Sequence, residues 1–219
     1  MRLRALALAL LPVAAPALAQ SSRVALSGVA LAYQTQYRLR YAGVLHDQTG
    51  TWLGGEGALR LGPVVLRASG LVGKLSGDTS IVNPDRTLRI TTLGLGLRPA
   101  SWLELGADVM ARRVESGPTT LLWRLVGGHV GIALPLGLRG LTGTAVGTYY
   151  PASSVTGGAK LNVALSGELG VSYAPPRSVV VLRLAYRFER YDFAPTGTDP
   201  ARLEQLRALV AGLGIRVGK

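Results

Sequence analysis

Residues 159–173 read AKLNVALSGELGVSY, and the pattern alternates. Ala159, Leu161, Val163, Leu165, Gly167, Leu169, Val171 and Tyr173 fall on one parity. Lys160, Asn162, Ala164, Ser166, Glu168, Gly170 and Ser172 fall on the other. Successive strand side chains leave opposite faces, so this segment makes a ribbon with one apolar and one polar side. A helical period of 3.6 separates no such sets. The texture recurs along the chain and predicts ten strands.

The first strand covers 28–41, with Val29, Leu31, Tyr33, Tyr37 and Leu39 on one face and Gln34, Gln36, Arg38 and Arg40 on the other. Residues 51–61 put Leu53, Leu59 and Leu61 against Glu56 and Arg60. Residues 64–75 put Val64, Leu66 and Val72 against Arg67 and Ser69. Residues 87–98 set Leu93, Leu95 and Leu97 apart from Gly94 and Gly96. Residues 102–114 set Leu103, Leu105 and Val109 apart from Glu104, Asp108 and Arg112. In 119–134 the even positions Val130, Ile132 and Leu134 form the apolar face, which turns Trp123 and His129 inward and Arg124 outward. Gly127-Gly128 is a candidate bulge that would switch the faces. The Gly- and Thr-rich stretch 138–150 fixes no facing. Residues 178–192 oppose Val180, Leu182, Leu184, Tyr186 and Phe188 to Arg183, Arg187 and Glu189. Residues 203–217 oppose Leu209, Leu213, Ile215 and Val217 to Gly212, Gly214 and Arg216.

The connections alternate in length. Short Pro/Gly turns are expected at 62–63, 99–101, 135–137 and 174–177, and longer polar loops at 42–50, 76–86, 115–118, 151–157 and 193–201. Aromatics gather near the strand ends. Tyr37, Tyr41, Trp52, Trp123, Tyr150, Tyr186 and Phe188 border the longer loops, and Trp102 and Tyr173 the shorter turns. Rings of this kind prefer the headgroup level of a bilayer, so they are expected to form two girdles.

Mean hydropathy is +0.30, yet no mature segment is long and apolar enough for a helical span. Alternating strands closed into a barrel are the solution left for a membrane. The chain opens MRLRALALALLPVAAPALAQ. Arg2 and Arg4, an apolar core over 5–13 and the Ala17-Leu18-Ala19 motif read as a cleaved signal peptide over 1–19. The expected organisation is therefore a leader and one barrel domain over 20–219. There are 24 basic and 12 acidic residues and no cysteine. This excludes a disulfide framework and a thiolate metal site, and suits export. The arginines stand singly at alternate positions, a pattern for a charged lumen and anionic headgroups rather than nucleic acid.

The signal peptide, the two-residue repeat and the loop asymmetry resemble the small bacterial outer-membrane β-barrel class. The resemblance implies an all-β, antiparallel, up-and-down transmembrane barrel of ten strands, or eight if one hairpin is misread. It also implies outer-membrane lipid, lipopolysaccharide and the barrel-assembly machinery as partners. The chain departs from the class in ending Ile215-Arg216-Val217-Gly218-Lys219, without a closing aromatic.

Inverting the faces, as a soluble barrel requires, would bury unpaired charges at several kcal/mol each. Placed inward, Glu56, Arg60, Arg67, Glu104, Asp108, Arg112, Lys160, Glu168, Arg183, Arg187, Glu189 and Arg216 form a lumen charge network, with Arg38 and Arg40 at the outer mouth. A barrel of about eight strands is filled by its own side chains, and open channels appear near 16 to 18. The expectation is a barrel closed by charge pairs, with a structural or surface-recognition role. A second reading is a narrow, weakly anion-selective pore. A third is a hydrolase at the outer rim using His46, Asp47 and Asp192. No catalytic, metal or cofactor motif is present: the only histidines are His46 and His129, and the glycine pairs precede no helix.

Overall fold

Each alternating segment forms a strand, and the strands close on themselves. A computed structural model describes residues 24–77, 85–156, 160–195, 197 and 200–218. The signal peptide expected over 1–19 lies outside the described residues. The strands are β1 (Val24–Tyr41), β2 (Val44–Leu61), β3 (Val64–Gly77), β4 (Arg86–Ala100), β5 (Leu103–Ser116), β6 (Thr119–Pro135), β7 (Leu141–Val155), β8 (Leu161–Tyr173), β9 (Val180–Phe193) and β10 (Arg202–Gly218). Neighbours pair antiparallel in chain order, and β1 pairs β10 from Ala25↔Gly218 to Tyr41↔Arg202. No sheet edge is left unpaired. Partners climb round the wall: Tyr33 faces Trp52, Trp52 faces Gly73, Gly73 faces Leu88 and Leu88 faces Val114. This path runs from the middle of β1 to the outer end of β5, the stagger of tilted strands.

Two expected loops are strands. Residues 44–50 belong to β2, and the β1–β2 connection is only Ala42-Gly43, both with positive φ. Such a pair makes the turn whose twist fits a hairpin. The sequence VLHDQTGT alternates weakly; register against β1, from Tyr41↔Val44 onwards, holds it extended. Likewise Gly117-Pro118 alone joins β5 to β6, with Ser116 facing Thr119. The expected loop at 151–157 begins only after Val155. Most of 76–86 lies outside the described residues.

The switch of faces is not at Gly127-Gly128. Trp123, Leu125, His129 and Gly131 all face inward, so β6 keeps its parity. Val126 faces Ala152 but Gly128 faces Tyr149, which places the extra residue in β7 around Tyr150-Pro151. A second bulge, at Asn162, separates Leu161↔Phe193 from Val163↔Asp192. Leu161, expected outside, consequently packs inward against the core.

The apolar side of the wall changes along each strand without any change of pleat. On β9, Leu182, Leu184, Tyr186 and Phe188 face out, but the next outward residues are Arg190 and Asp192. Inward, Arg183, Arg187 and Glu189 give way to Tyr191 and Phe193. On β3, Leu66 and Val72 face out before Lys74 and Ser76, while Arg67 and Ser69 face in before Leu71 and Leu75. β2, β4, β5 and β10 make the same exchange. On β1 the polar face of Gln34, Gln36, Arg38 and Arg40 is outward and exposed, and Leu31, Tyr33, Tyr37 and Leu39 are buried inside. Arg38 and Arg40 are therefore not at the mouth of the lumen. The half of the barrel near the termini is apolar outside and charged inside. The other half is built like a soluble protein.

Candidate functional site

The lumen has two layers that follow from this exchange. In the half near the chain termini, charged side chains converge in pairs. Arg183 donates to Glu56 from one guanidinium nitrogen and to Glu168 from another, bridging β9, β2 and β8. Arg67 Nη2 lies 2.7 Å from Glu104 Oε2, and His129 stands between Glu104 (3.3 Å) and Asp108 (3.0 Å). Glycines on the same face make this room: a Cβ on Gly94 would run into Asp108 Oδ1, and one on Gly96 would meet Glu104 Oε1 at 2.6 Å. A cavity of ≈ 400 Å³ remains between these groups, lined by Glu56, Arg183 and Arg187 and by the hydroxyls of Ser69, Thr148 and Ser166.

Above it the lumen is packed. Trp52, Leu75, Leu88, Met110, Trp123, Leu125, Tyr191 and Leu206 are almost wholly buried there. Trp123 meets Tyr191 and Phe193 edge-on, with centroids 5.1 and 5.2 Å apart. Arg112, 1% exposed, lies within this layer against the rings of Trp123 and Tyr191. Its guanidinium reaches Glu204 at 3.5 Å and Glu189 at 3.8 Å. Arg187 Nε and the Tyr191 hydroxyl each donate to Glu189 at 2.9 Å. Arg202 stacks on Phe193 and lies 3.2 Å from Glu204.

Of the twelve residues expected in the network, nine stand in these ion pairs: Glu56, Arg67, Glu104, Asp108, Arg112, Glu168, Arg183, Arg187 and Glu189. Arg60 instead caps its own turn by donating to the Gly62 carbonyl at 2.9 Å. Arg216 lines the open end of the cavity without an ion pair among the described residues. Lys160 precedes β8 and is exposed. Sequence reasoning missed Glu204 and Arg202. Glu204 shares the inward parity of Gly212 and Gly214, but the apolar Leu206, Ala208 and Val210 stand between them, and Arg202 precedes the strand expected over 203–217.

The outer girdle needs the larger correction. Tyr37, Trp52, Trp123 and Tyr150 are buried in the lumen, and Tyr41 packs partly against the core. Tyr186 and Phe188 do face outward and are exposed, as does Tyr149; Trp102 is exposed in the turn between β4 and β5, and Tyr173 is half-buried. Aromatics near the strand ends served the plug because the outer strand ends stand beyond the lipid band.

The rim constellation is not assembled. His46 and Asp47 are consecutive on β2, so their side chains leave opposite faces. Asp47 pairs with Arg38 at 2.8 Å, and Asp192 lies 3.7 Å from Arg190 on β9, three strands from β2 and thus about 14 Å away.

A closed barrel with leucines 50–60% exposed outside (Leu95, Leu213) and ion pairs inside is a bacterial outer-membrane β-barrel. No protein-family model and no curated protein matches the chain. Among solved structures it is similar to Neisserial surface protein A, at 14% identity over 86% of this chain and 96% of that one, TM-score 0.38. The translocator domain of the autotransporter NalP from Neisseria meningitidis gives 14% identity over 98% and 95%, TM-score 0.46. The attachment invasion locus protein Ail of Yersinia pestis gives 14% over 88% and 98%, TM-score 0.34. At such values none of them lends this chain a role.

Proposed function

We propose that this chain is a non-conducting outer-membrane barrel, whose role is structural or one of surface recognition. The observation that carries the reading is the packed layer across the outer half of the lumen, centred on Trp52, Trp123, Tyr191 and Arg112. The ≈ 400 Å³ cavity is a cup beneath that layer, bounded above by Tyr150. The contact surface is the outer rim. There the β1–β2 hairpin rises past the apolar band on a two-residue turn and presents Val44 and Leu45, both about half exposed.

Planar-bilayer recording of the refolded protein tests it. The expected result is no unitary conductance from protein whose gel migration shifts on boiling, the mark of a closed barrel. Truncating Trp123 and Tyr191 together to Ala should introduce small steps. A steady, ion-selective current from the unaltered chain would overturn the reading in favour of a pore.

A further inference from the structure

The outward-facing charges are distributed with a strong asymmetry. Among the described strand residues the outward cations are Arg38, Arg40, Lys74, Arg89, Arg113, Arg124, Arg190 and Arg207. All lie beyond the same edge of the apolar band, the edge away from the termini. Six stand within four residues of an apolar or small outward residue of the band: Lys74 beyond Val72, Arg89 beyond Leu93, Arg113 beyond Ala111, Arg124 beyond Val126, Arg190 beyond Phe188 and Arg207 beyond Leu209, with Leu122 and Leu203 the leucines of the same outward parity farther out on β6 and β10. The opposite border carries Val24, Leu61, Leu66, Leu97, Leu134 and Val217, with no outward charge on any described strand. Among the described strand residues three acids face outward, and each is held by a neighbour: Asp47 by Arg38, Glu115 by Arg113 and Asp192 by Arg190. Among the described residues no ion pair or hydrogen bond reaches the side chains of Lys74, Arg89, Arg124 or Arg207.

We infer that this belt binds the phosphates of an anionic glycolipid in the outer leaflet. Cations placed one step above the hydrocarbon sit at the depth of lipid headgroups, and each Lys or Arg there attracts an anionic surface. Arginine also takes phosphate in a bidentate fork. A belt serving only solubility would not stop at one border on seven of the ten strands. Between β10, β1 and β2 the belt has a groove of ≈ 270 Å³ lined by Gln36, Arg38, Asp47, Thr49, Gln205 and Arg207, in which Arg38 neutralises Asp47 and Arg207 is the cation left for an anion. The inference rests on the outer-membrane reading of the fold and adds to it a lipid class and a set of residues.

The test is native mass spectrometry of the detergent-purified barrel with diphosphoryl lipid A, phosphatidylglycerol and phosphatidylcholine. The expected result is retention of diphosphoryl lipid A over both others. Lys74→Gln, Arg89→Gln, Arg124→Gln and Arg207→Gln combined should weaken that retention roughly tenfold or more while heat-modifiable migration is kept. Should the fourfold variant not fold, Arg89→Gln with Arg207→Gln and the salt dependence of the unaltered protein give the same reading. Equal retention of all three lipids, equal retention of lipid A and phosphatidylglycerol, or an unaffected variant would each overturn the proposal. A failure of the membrane reading itself would look different: no insertion into vesicles of any composition, and no shift on boiling.

Discussion

The guanidinium carbon of Arg112 lies 4.4 Å from the centre of the Trp123 ring, and the two come from adjacent strands as direct register partners. Neither touches solvent. The cation is tolerated because Glu189 and Glu204 stand on its other sides, and because aromatic faces attract it. It ties β5 and β6 to β9 and β10 across the lumen.

This arrangement predicts coupling. Trp123→Ala should cost about 3–5 kcal/mol through lost packing, and Arg112→Ala about 3 kcal/mol by taking one of two cations from each buried carboxylate, leaving Glu189 to Arg187 and Glu204 to Arg202. If cation and ring act as a unit, the double variant should fall short of the sum by about 1 kcal/mol or more. Urea unfolding in vesicles measures all three. Strict additivity would mean that the ring contributes only as filler.

Arg183 gives a second prediction, in the opposite layer. It holds Glu56 and Glu168 at once, so Arg183→Gln strands two partly buried carboxylates. The expected loss is about 3 kcal/mol. Adding Glu56→Gln and Glu168→Gln should restore most of it, since amides need no countercharge. A chain with Arg183→Gln alone that unfolds at the wild-type urea midpoint would show that the pairs contribute nothing net.

The edge of the lipid can be mapped by a charge scan on the outward face. Leu95→Arg and Leu213→Arg, inside the apolar band, should each cost roughly 2–4 kcal/mol. Thr49→Arg and Ser76→Arg, on the same outward parity but past the exchange of sides, should cost about 0–1 kcal/mol. Equal penalties at all four positions would remove the physical basis for a lipid boundary between Val72 and Lys74.

The alternation by itself determined a great deal. Leu182, Leu184 and Arg183 cannot share a face on any strand, so a wall with an oily side and an ionic side follows from their order. So do the ten strands and the facing of Glu56, Arg67, Glu104, Asp108, Glu168, Arg183 and Arg187. Local sequence did not reveal where one environment ends and the next begins. Arg187 and Tyr191 share the inward parity of β9, yet one stands among the ion pairs and the other in the packed aromatic layer. The hairpin over 42–50 has too little alternation to declare itself a strand, and only its register against β1 makes it one. The bulges at Tyr150-Pro151 and Asn162 shift facing by one residue, which sends Leu161 inward. Tertiary structure decided these points for a physical reason: a strand fixes which side chains are opposed, but closure of the barrel and the height of each residue along it fix what lies on either side. The plug, the cup and the cationic belt all come from that height.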